Sequence, residues 1–301
     1  MPATFHIVAT PIGNLGDITY RAVEVLGRVS LIACEDTRQT RKLLTRYGIT
    51  TPTLSCHQHN EAARIPQFIE RLHGGQDIAL VCDAGTPLLS DPGARLLAAV
   101  LAEGFAIVPI PGPSAILATL AGSGLPADSF RFEGFLPSKP HSRRRTLESL
   151  RQETSTLVLF ETPHRILAAL TDIADVFGAR PLVLGREITK LHEEFLRGTP
   201  LDVRQILASR PAIQGEITLA IAGAEQARGR PAEEEILRAV VADMAAGVSK
   251  LGAVKAAARR WKIPKREVYR LVERGKGQGS PPAAPEEPGG VRRQRRRVVR
   301  P

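Results

Sequence analysis

The sequence has no apolar run approaching the roughly 18 residues that a membrane-spanning helix needs. It also holds only three cysteines, one tryptophan and 4% aromatic residues in a chain of 301. The lack of a long apolar run argues against a helical membrane anchor. Cys34, Cys56 and Cys82 are odd in number and far apart, so neither a disulfide framework nor a zinc site is expected, and no metal is implied. Cys34 and Cys82 close apolar runs and read as small buried packing residues. No basic segment and apolar leader precede the first strand-like run, which leads us to expect a soluble, cytoplasmic protein. Absent motifs narrow the chemistry further. There is no GxxxxGK[ST] loop, no GxSxG elbow, no HExxH pair and no GxGxxG turn. These absences argue against nucleotide hydrolysis, serine hydrolysis, zinc proteolysis and the usual dinucleotide fold.

What is present is a set of three glycine-proline turns, each behind an apolar run. They are Thr10–Asp17, Asp83–Gly93 and Pro111–Ala115, after runs 5–9, 78–82 and 105–110. Glycine lets backbone approach a ligand closely and proline stiffens the turn. In an open α/β sheet the ligand lies outside the carboxyl ends of the strands, so three such turns predict a small-molecule cradle.

Strand-like runs at 5–10, 29–34, 52–55, 77–82 and 105–110 alternate with helical patterns near 19–27, 37–46, 60–72, 93–103 and 113–121. That rhythm predicts an α/β lobe with a mostly parallel sheet over residues 1–122. A second lobe is expected over 123–228, with strands at 130–135, 155–161, 181–187, 192–198 and 214–222 and helices near 141–153, 163–176 and 200–209. The closeness of 181–187 and 192–198 suggests an antiparallel hairpin, hence an α+β sheet and a cleft between lobes. Residues 229–274 read as three short helices, 233–246, 250–261 and 265–273, in a helix-turn-helix-like domain with Ser249 as an N-cap. Residues 275–301 are rich in Gly, Pro and Arg and are expected to be disordered. The net charge of +10 is uneven. Residues 1–228 hold 23 basic and 23 acidic side chains, 229–273 hold 10 and 6, and 274–301 hold 8 and 2. A neutral body with a basic appendage suggests a catalytic unit attached to a polyanion-binding module. Lys265 and Arg266 belong to that module.

Four polar clusters end apolar runs. Glu35-Asp36-Thr37-Arg38 is explained in part by helix capping through Asp36 or Thr37. In Glu161-Thr162-Pro163-His164-Arg165, Thr162 can cap a helix with Pro163 at its first position, leaving Glu161, His164 and Arg165 free for chemistry. Arg186–Lys190 forms either a surface ion pair or part of a site. Lys139 with Arg143, Arg144 and Arg145 starts a basic helix suited to phosphate contacts.

The strings TPIGNLGDIT, EDTRQTRKLL, HQHNE, DAGTPLLSDPG, PGPSA, FEGFLP, ETPHR and GREITK occur here in one order. In that order they resemble the rRNA (cytidine-2′-O-)-methyltransferase branch of the tetrapyrrole methylase superfamily, over about residues 5–273. Phe160 departs from the tyrosine common in that branch. The resemblance implies a two-lobed, tetrapyrrole-methylase-like homodimer that binds S-adenosylmethionine between the lobes. Its target would be the ribose 2′-hydroxyl of a decoding-region cytidine, cytidine 1402, in the 16S rRNA of the small ribosomal subunit. Pro11 and Gly13 in the first turn, and Asp83, Gly85, Thr86, Pro87 and Leu88 in the second, would flank the cofactor. Ser114 and Ala115 would meet it through the third, with backbone around Phe160 and Leu219-Ala220 closing the pocket. Transfer also needs help removing the hydroxyl proton, where one base contributes about 10²–10⁴-fold. Glu161, His164 and Glu187 are the candidates, while Lys190 or Arg165 would hold a phosphate or a developing alkoxide. A small-molecule tetrapyrrole methylase shares the cradle but leaves the basic appendage without a purpose. A ligand-sensing transcriptional regulator leaves the polar strand ends without one.

Overall fold

The computed structural model describes residues 3–225, 232–261 and 263–275. They fall into two compact units, one ending at Glu225 and one following it.

The first unit begins with five parallel strands, β1 (Thr4–Val8), β2 (Leu31–Cys34), β3 (Thr53–Ser55), β4 (Ile78–Leu80) and β5 (Ala106–Ile110), in the order β3-β2-β4-β1-β5. Helices α1 (Tyr20–Arg28) and α2 (Thr37–Arg46) pack on one face around Leu26, Ile32 and Val81. Helices α3 (Glu61–His73) and α4 (Ala94–Ala102) pack on the other around Phe5, Phe68 and Leu80. Right-handed crossovers produce this split, because the chain moves one way from β1 to β3 and then returns. With both faces covered, β2 is buried at every position, as parallel strands tend to be. All three cysteines are buried and unbridged. Asp36 does cap α2, accepting from the Arg38 amide at 2.8 Å.

Helix α5 (Ala115–Ser123) leads to a mixed sheet of β6 (Phe130–Phe135), β7 (Thr156–Glu161), β8 (Leu182–Arg186), β9 (Glu194–Gly198) and β10 (Ile217–Ile221), ordered β6-β7-β10-β8-β9. The expected β8–β9 hairpin is antiparallel. Helices α6 (Pro140–Ser149), α7 (Ile166–Phe177) and α8 (Pro200–Ala208) cover one face through Leu147, Leu170 and Leu207. The other face is covered by α5, whose Ile116 and Leu120 meet Val158. At about 1.5–3 kcal/mol for each buried aliphatic side chain, this contact holds α5 on the second sheet. Buried Thr119 and Ser123 keep that face of the helix narrow.

One expected helix start is displaced. Residues 162–165 form a turn and α7 begins at Ile166, with Arg165 rather than Thr162 at the N-cap position. The Thr162 hydroxyl faces Glu161 Oε1 at 3.4 Å instead of a helix amide.

The second unit contains α9 (Glu233–Ala245), α10 (Lys250–Arg260) and α11 (Lys265–Gly275), packed through Ile236, Val240, Val254, Val268 and Leu271. Ser249 caps α10, accepting from the Gly252 amide at 3.2 Å. Lys265 and Arg266 are exposed at the start of α11. The tail, expected to be disordered from 275, lies outside the described residues beyond 275. Among the described residues no helix is long and apolar enough to cross a membrane.

Candidate functional site

At the carboxyl edge of the parallel sheet, Thr10 and Gly85 exchange backbone hydrogen bonds of 2.8 and 3.0 Å, tying the turn after β1 to the loop after β4. Gly85 has φ +84°, and a Cβ there would press on Ile12 Cγ2 at 3.3 Å, so the position calls for glycine. In the second sheet, Ile217 of β10 lies between Glu161 of β7 and Arg186 of β8. That register brings loops 162–165, 187–193 and 214–216 to one edge.

The two edges meet. The Asn14 amide donates to Thr189 Oγ1 at 3.2 Å, and the Lys190 stem lies across Gly13 where a Cβ would collide with it. Lys190 Nζ then donates to Glu187 Oε1 at 2.7 Å and Glu216 Oε2 at 3.0 Å. Among the described residues, the non-glycine residues with positive φ are Leu88, Ser90, Glu187 and Thr189, all in these facing loops. Such conformations cost about 1–3 kcal/mol each and persist where the surroundings enforce them.

Two cavities open between the edges. The first, about 360 Å³, is walled by Asp83–Thr86, Leu89–Asp91, Ser114–Ile116, Phe135, Phe160–Pro163, Ile188 and 215–218. The second, about 350 Å³, is walled by Thr10–Gly13, Leu15, Gln39–Thr40, Lys42–Leu43, Cys82 and Lys190. They share Ile12, Asp83, Ala84 and Glu216.

The cofactor residues expected from the sequence divide between these spaces. Asp83, Gly85, Thr86, Ser114, Ala115 and Phe160 line the first cavity. Pro11 and Gly13 line the second instead. Pro87 lines neither, being buried, and Leu88 packs toward the α3–α4 core. Leu219 and Ala220 are wholly buried, and their neighbour Thr218 takes the wall position. Sequence reasoning missed Ser90, Asp91, Phe135, Ile188 and Glu216. Asp91 and Ser90 stood inside the quoted DAGTPLLSDPG string. Glu216 carried no local signal.

Among the candidate bases, Glu161 lines the first cavity, its oxygens accepting from the Thr162 amide at 2.8 Å and facing the Arg165 guanidinium at 3.2 and 3.3 Å. Arg165 also donates to the Leu136 carbonyl. His164 is exposed and lines neither cavity, so the structure does not bring it to the site. Hydrogen bonding from Lys190 holds the Glu187 carboxyl below its ordinary range. Burial works to lower the Lys190 pKa, but Glu187 and Glu216 outweigh it and hold the ammonium above its usual value. Lys190 and Glu187 therefore form a charged pair at this edge. Burial, with help from Asp83, pushes the Asp91 carboxyl up. The same causes raise Glu35 nearby.

The basic helix also differs from expectation. Arg143 is 3% exposed, and its guanidinium pairs with the equally buried Asp172 of α7 at 2.6 Å, so it offers nothing to RNA. Arg144 reaches Asp172 and Asp175. Lys139 and Arg145 remain exposed.

The first cavity fits S-adenosylmethionine. Asp83, Asp91, Glu161 and Glu216 line it without a single cation, which suits a ligand bearing a sulfonium and an ammonium. Phe135 and Phe160, 5.5 Å apart at their centroids and tilted 56° to one another, supply aromatic, apolar surface suited to an adenine.

Residues 4–202 match the model of the Tetrapyrrole (Corrin/Porphyrin) Methylases. The chain is 47% identical over 88% of its length to Ribosomal RNA small subunit methyltransferase I of a Synechocystis species, covering 96% of that protein. It is 47% identical over 75% of its length to the protein of the same name from Pseudomonas aeruginosa, covering 81% of it. Among solved structures, it resembles the cobalamin biosynthetic enzyme cobalt precorrin-4 methyltransferase, with a TM-score of 0.56 and 16% identity. That match covers 72% of this chain and 94% of the other, and shows a shared fold. The chain belongs to the tetrapyrrole (corrin/porphyrin) methylase family, in the group of the ribosomal RNA small subunit methyltransferases I.

Proposed function

We propose that this protein, as a homodimer, transfers the methyl group of S-adenosylmethionine to the ribose 2′-hydroxyl of cytidine 1402 in the decoding region of 16S rRNA. The observation that carries the reading is Lys190, a cation pinned by two carboxylates at the junction of a cation-free cavity and its neighbour. The names of the relatives supply the RNA.

When bound, S-adenosylmethionine supplies a methyl carbon already activated by its sulfonium, so departure of the thioether needs no acid. The chain's own work is alignment, exclusion of water and removal of a proton. Ile12, Phe135 and Ile188 keep the first cavity apolar where polar contacts are not needed. Alignment of hydroxyl and methyl is a proximity effect. Lys190 is placed to steady the oxygen as it loses its proton. Of the carboxylates, Asp83 and Glu216 stand on the wall common to both cavities and are better placed to accept that proton than Glu187 or His164. Lys139, Arg145, Lys265 and Arg266 are the exposed cations for the rRNA backbone, and 229–274 is the docking domain.

Labelled cofactor offered to small ribosomal subunits, naked 16S rRNA and a precorrin in parallel tests the reading. Label should enter rRNA; label confined to the tetrapyrrole would overturn it.

A further inference from the structure

The second cavity is about as large as the first, and the two share Ile12, Asp83, Ala84 and Glu216 in their walls. Its remaining wall carries Lys42 and Lys190 and no carboxylate. We propose that it is the chamber for the target nucleotide, with the phosphate beside Lys42 and the ribose at the shared wall. The proposal rests on the functional reading above and assigns a place to its substrate.

Four features favour a single nucleotide as occupant. The volume, about 350 Å³, lies within the range of small-molecule sites. Apolar Pro11, Leu15 and Leu43 offer surface to a base. The Gln39 amide accepts from Lys42 Nζ at 2.8 Å, which leaves the Gln39 NH₂ free to donate and holds the ammonium at the rim. Finally, a hydroxyl at the shared wall would meet the Lys190 ammonium and the Asp83 carboxylate while facing the first cavity. Such a chamber admits only a base taken out of its stack, which single-stranded RNA permits at modest cost.

Two variants separate occupancy of the chamber from general attraction of RNA. Leu15 is 38% exposed, so Leu15→Trp can fill the cavity without disturbing the core or changing charge. We expect Leu15→Trp to lower kcat/KM on small ribosomal subunits by about 10²-fold, while S-adenosylhomocysteine affinity by calorimetry and subunit docking by filter binding stay within about twofold of wild type. Lys42→Ala should raise KM by about tenfold with kcat nearly unchanged, as loss of one charge-assisted phosphate contact requires. Wild-type kinetics in Leu15→Trp would overturn the chamber. So would a fall in S-adenosylhomocysteine affinity parallel to the fall in activity, since the cavity would then belong to the cofactor. Wild-type protein that binds S-adenosylhomocysteine but labels no rRNA would instead sink the functional reading, and the chamber with it.

Discussion

Beyond the wall they share, the first cavity carries the carboxylates Asp91 and Glu161 and no cation, whereas the second carries Lys42 and Lys190 and no carboxylate. Two unit charges 4 Å apart interact by about 4 kcal/mol at an effective dielectric of 20, so the difference is large enough to sort ligands. A cationic methyl donor is drawn to the first space and a phosphate is repelled from it. The second space balances Lys42 and Lys190 against Asp83 and Glu216, so it lacks the first space's bias against a phosphate. Methyl transfer also removes the sulfonium charge, so the first cavity should hold the product less well than the donor. On the proposed assignment the donor would occupy the acidic space and the nucleotide the mixed one, with Lys190 in the wall of the second.

The largest expected effect breaks the first chamber alone. Gly85→Val places a branched side chain at φ +84° against Ile12, disrupting the Thr10–Gly85 pair. Cofactor affinity measured by calorimetry should fall by about 10²-fold or more, through strain of about 1–3 kcal/mol and lost shape. Unchanged affinity in a folded variant would remove the cradle.

Lys190→Met acts at the boundary. The single-turnover rate should drop by about 10²-fold while cofactor affinity stays within a few fold, because the cation serves the hydroxyl and not the donor. The pair should be ionised throughout the neutral range. Glu187, held low, contributes stability above the ordinary carboxylate range and loses it as pH falls through its folded value. Lys190, held high, contributes below the ordinary lysine range and loses it as pH rises through its folded value. Stopped-time assays across neutral pH should accordingly show no limb due to this pair.

Arg143→Ala tests the basic helix. Removing one of the two guanidinium partners of the buried Asp172 should cost about 1–3 kcal/mol in denaturant unfolding. The salt dependence of RNA binding should not change. Arg145→Ala should do the opposite, reducing the salt slope by about 1 with stability intact. Equal effects from the two would show that the helix faces otherwise.

The smallest effect sharpens the charge argument. Asp91→Asn should reduce S-adenosylmethionine affinity by about tenfold and S-adenosylhomocysteine affinity less, narrowing the preference between them. Because burial raises this carboxyl, its ionisation opposes folding at neutral pH. The variant should melt higher at pH 7, and the gain should fade as pH falls toward the ordinary carboxylate range, where both states are protonated.

Much of the fold was legible because each lobe obeys a local period. Strand 130–135 and helix 37–46 coincide with their observed bounds, and the glycine-proline turns fall at the expected sheet edge. What was illegible depends on contacts between distant residues. Arg143 looked like its neighbours Arg144 and Arg145, and only Asp172, on another helix, turns it inward. Thr162 and Pro163 carry a helix-start signal, but the adjacent Glu161 competes for the hydroxyl. The second cavity forms where Gln39 and Lys42 of α2 meet the first turn and Lys190, a conjunction that no window of sequence displays. Pro11 and Gly13, expected from the sequence beside the cofactor, line the second cavity.

The most direct test of the account is the identity of the methylated nucleoside. Small ribosomal subunits lacking the modification would be incubated with the protein and S-adenosylmethionine, and their 16S rRNA digested and analysed by mass spectrometry. The account predicts one 2′-O-methylcytidine per RNA, at position 1402, whose formation is lost when that nucleotide is 2′-deoxy. A methyl group on the base, or on a ribose elsewhere, would contradict it.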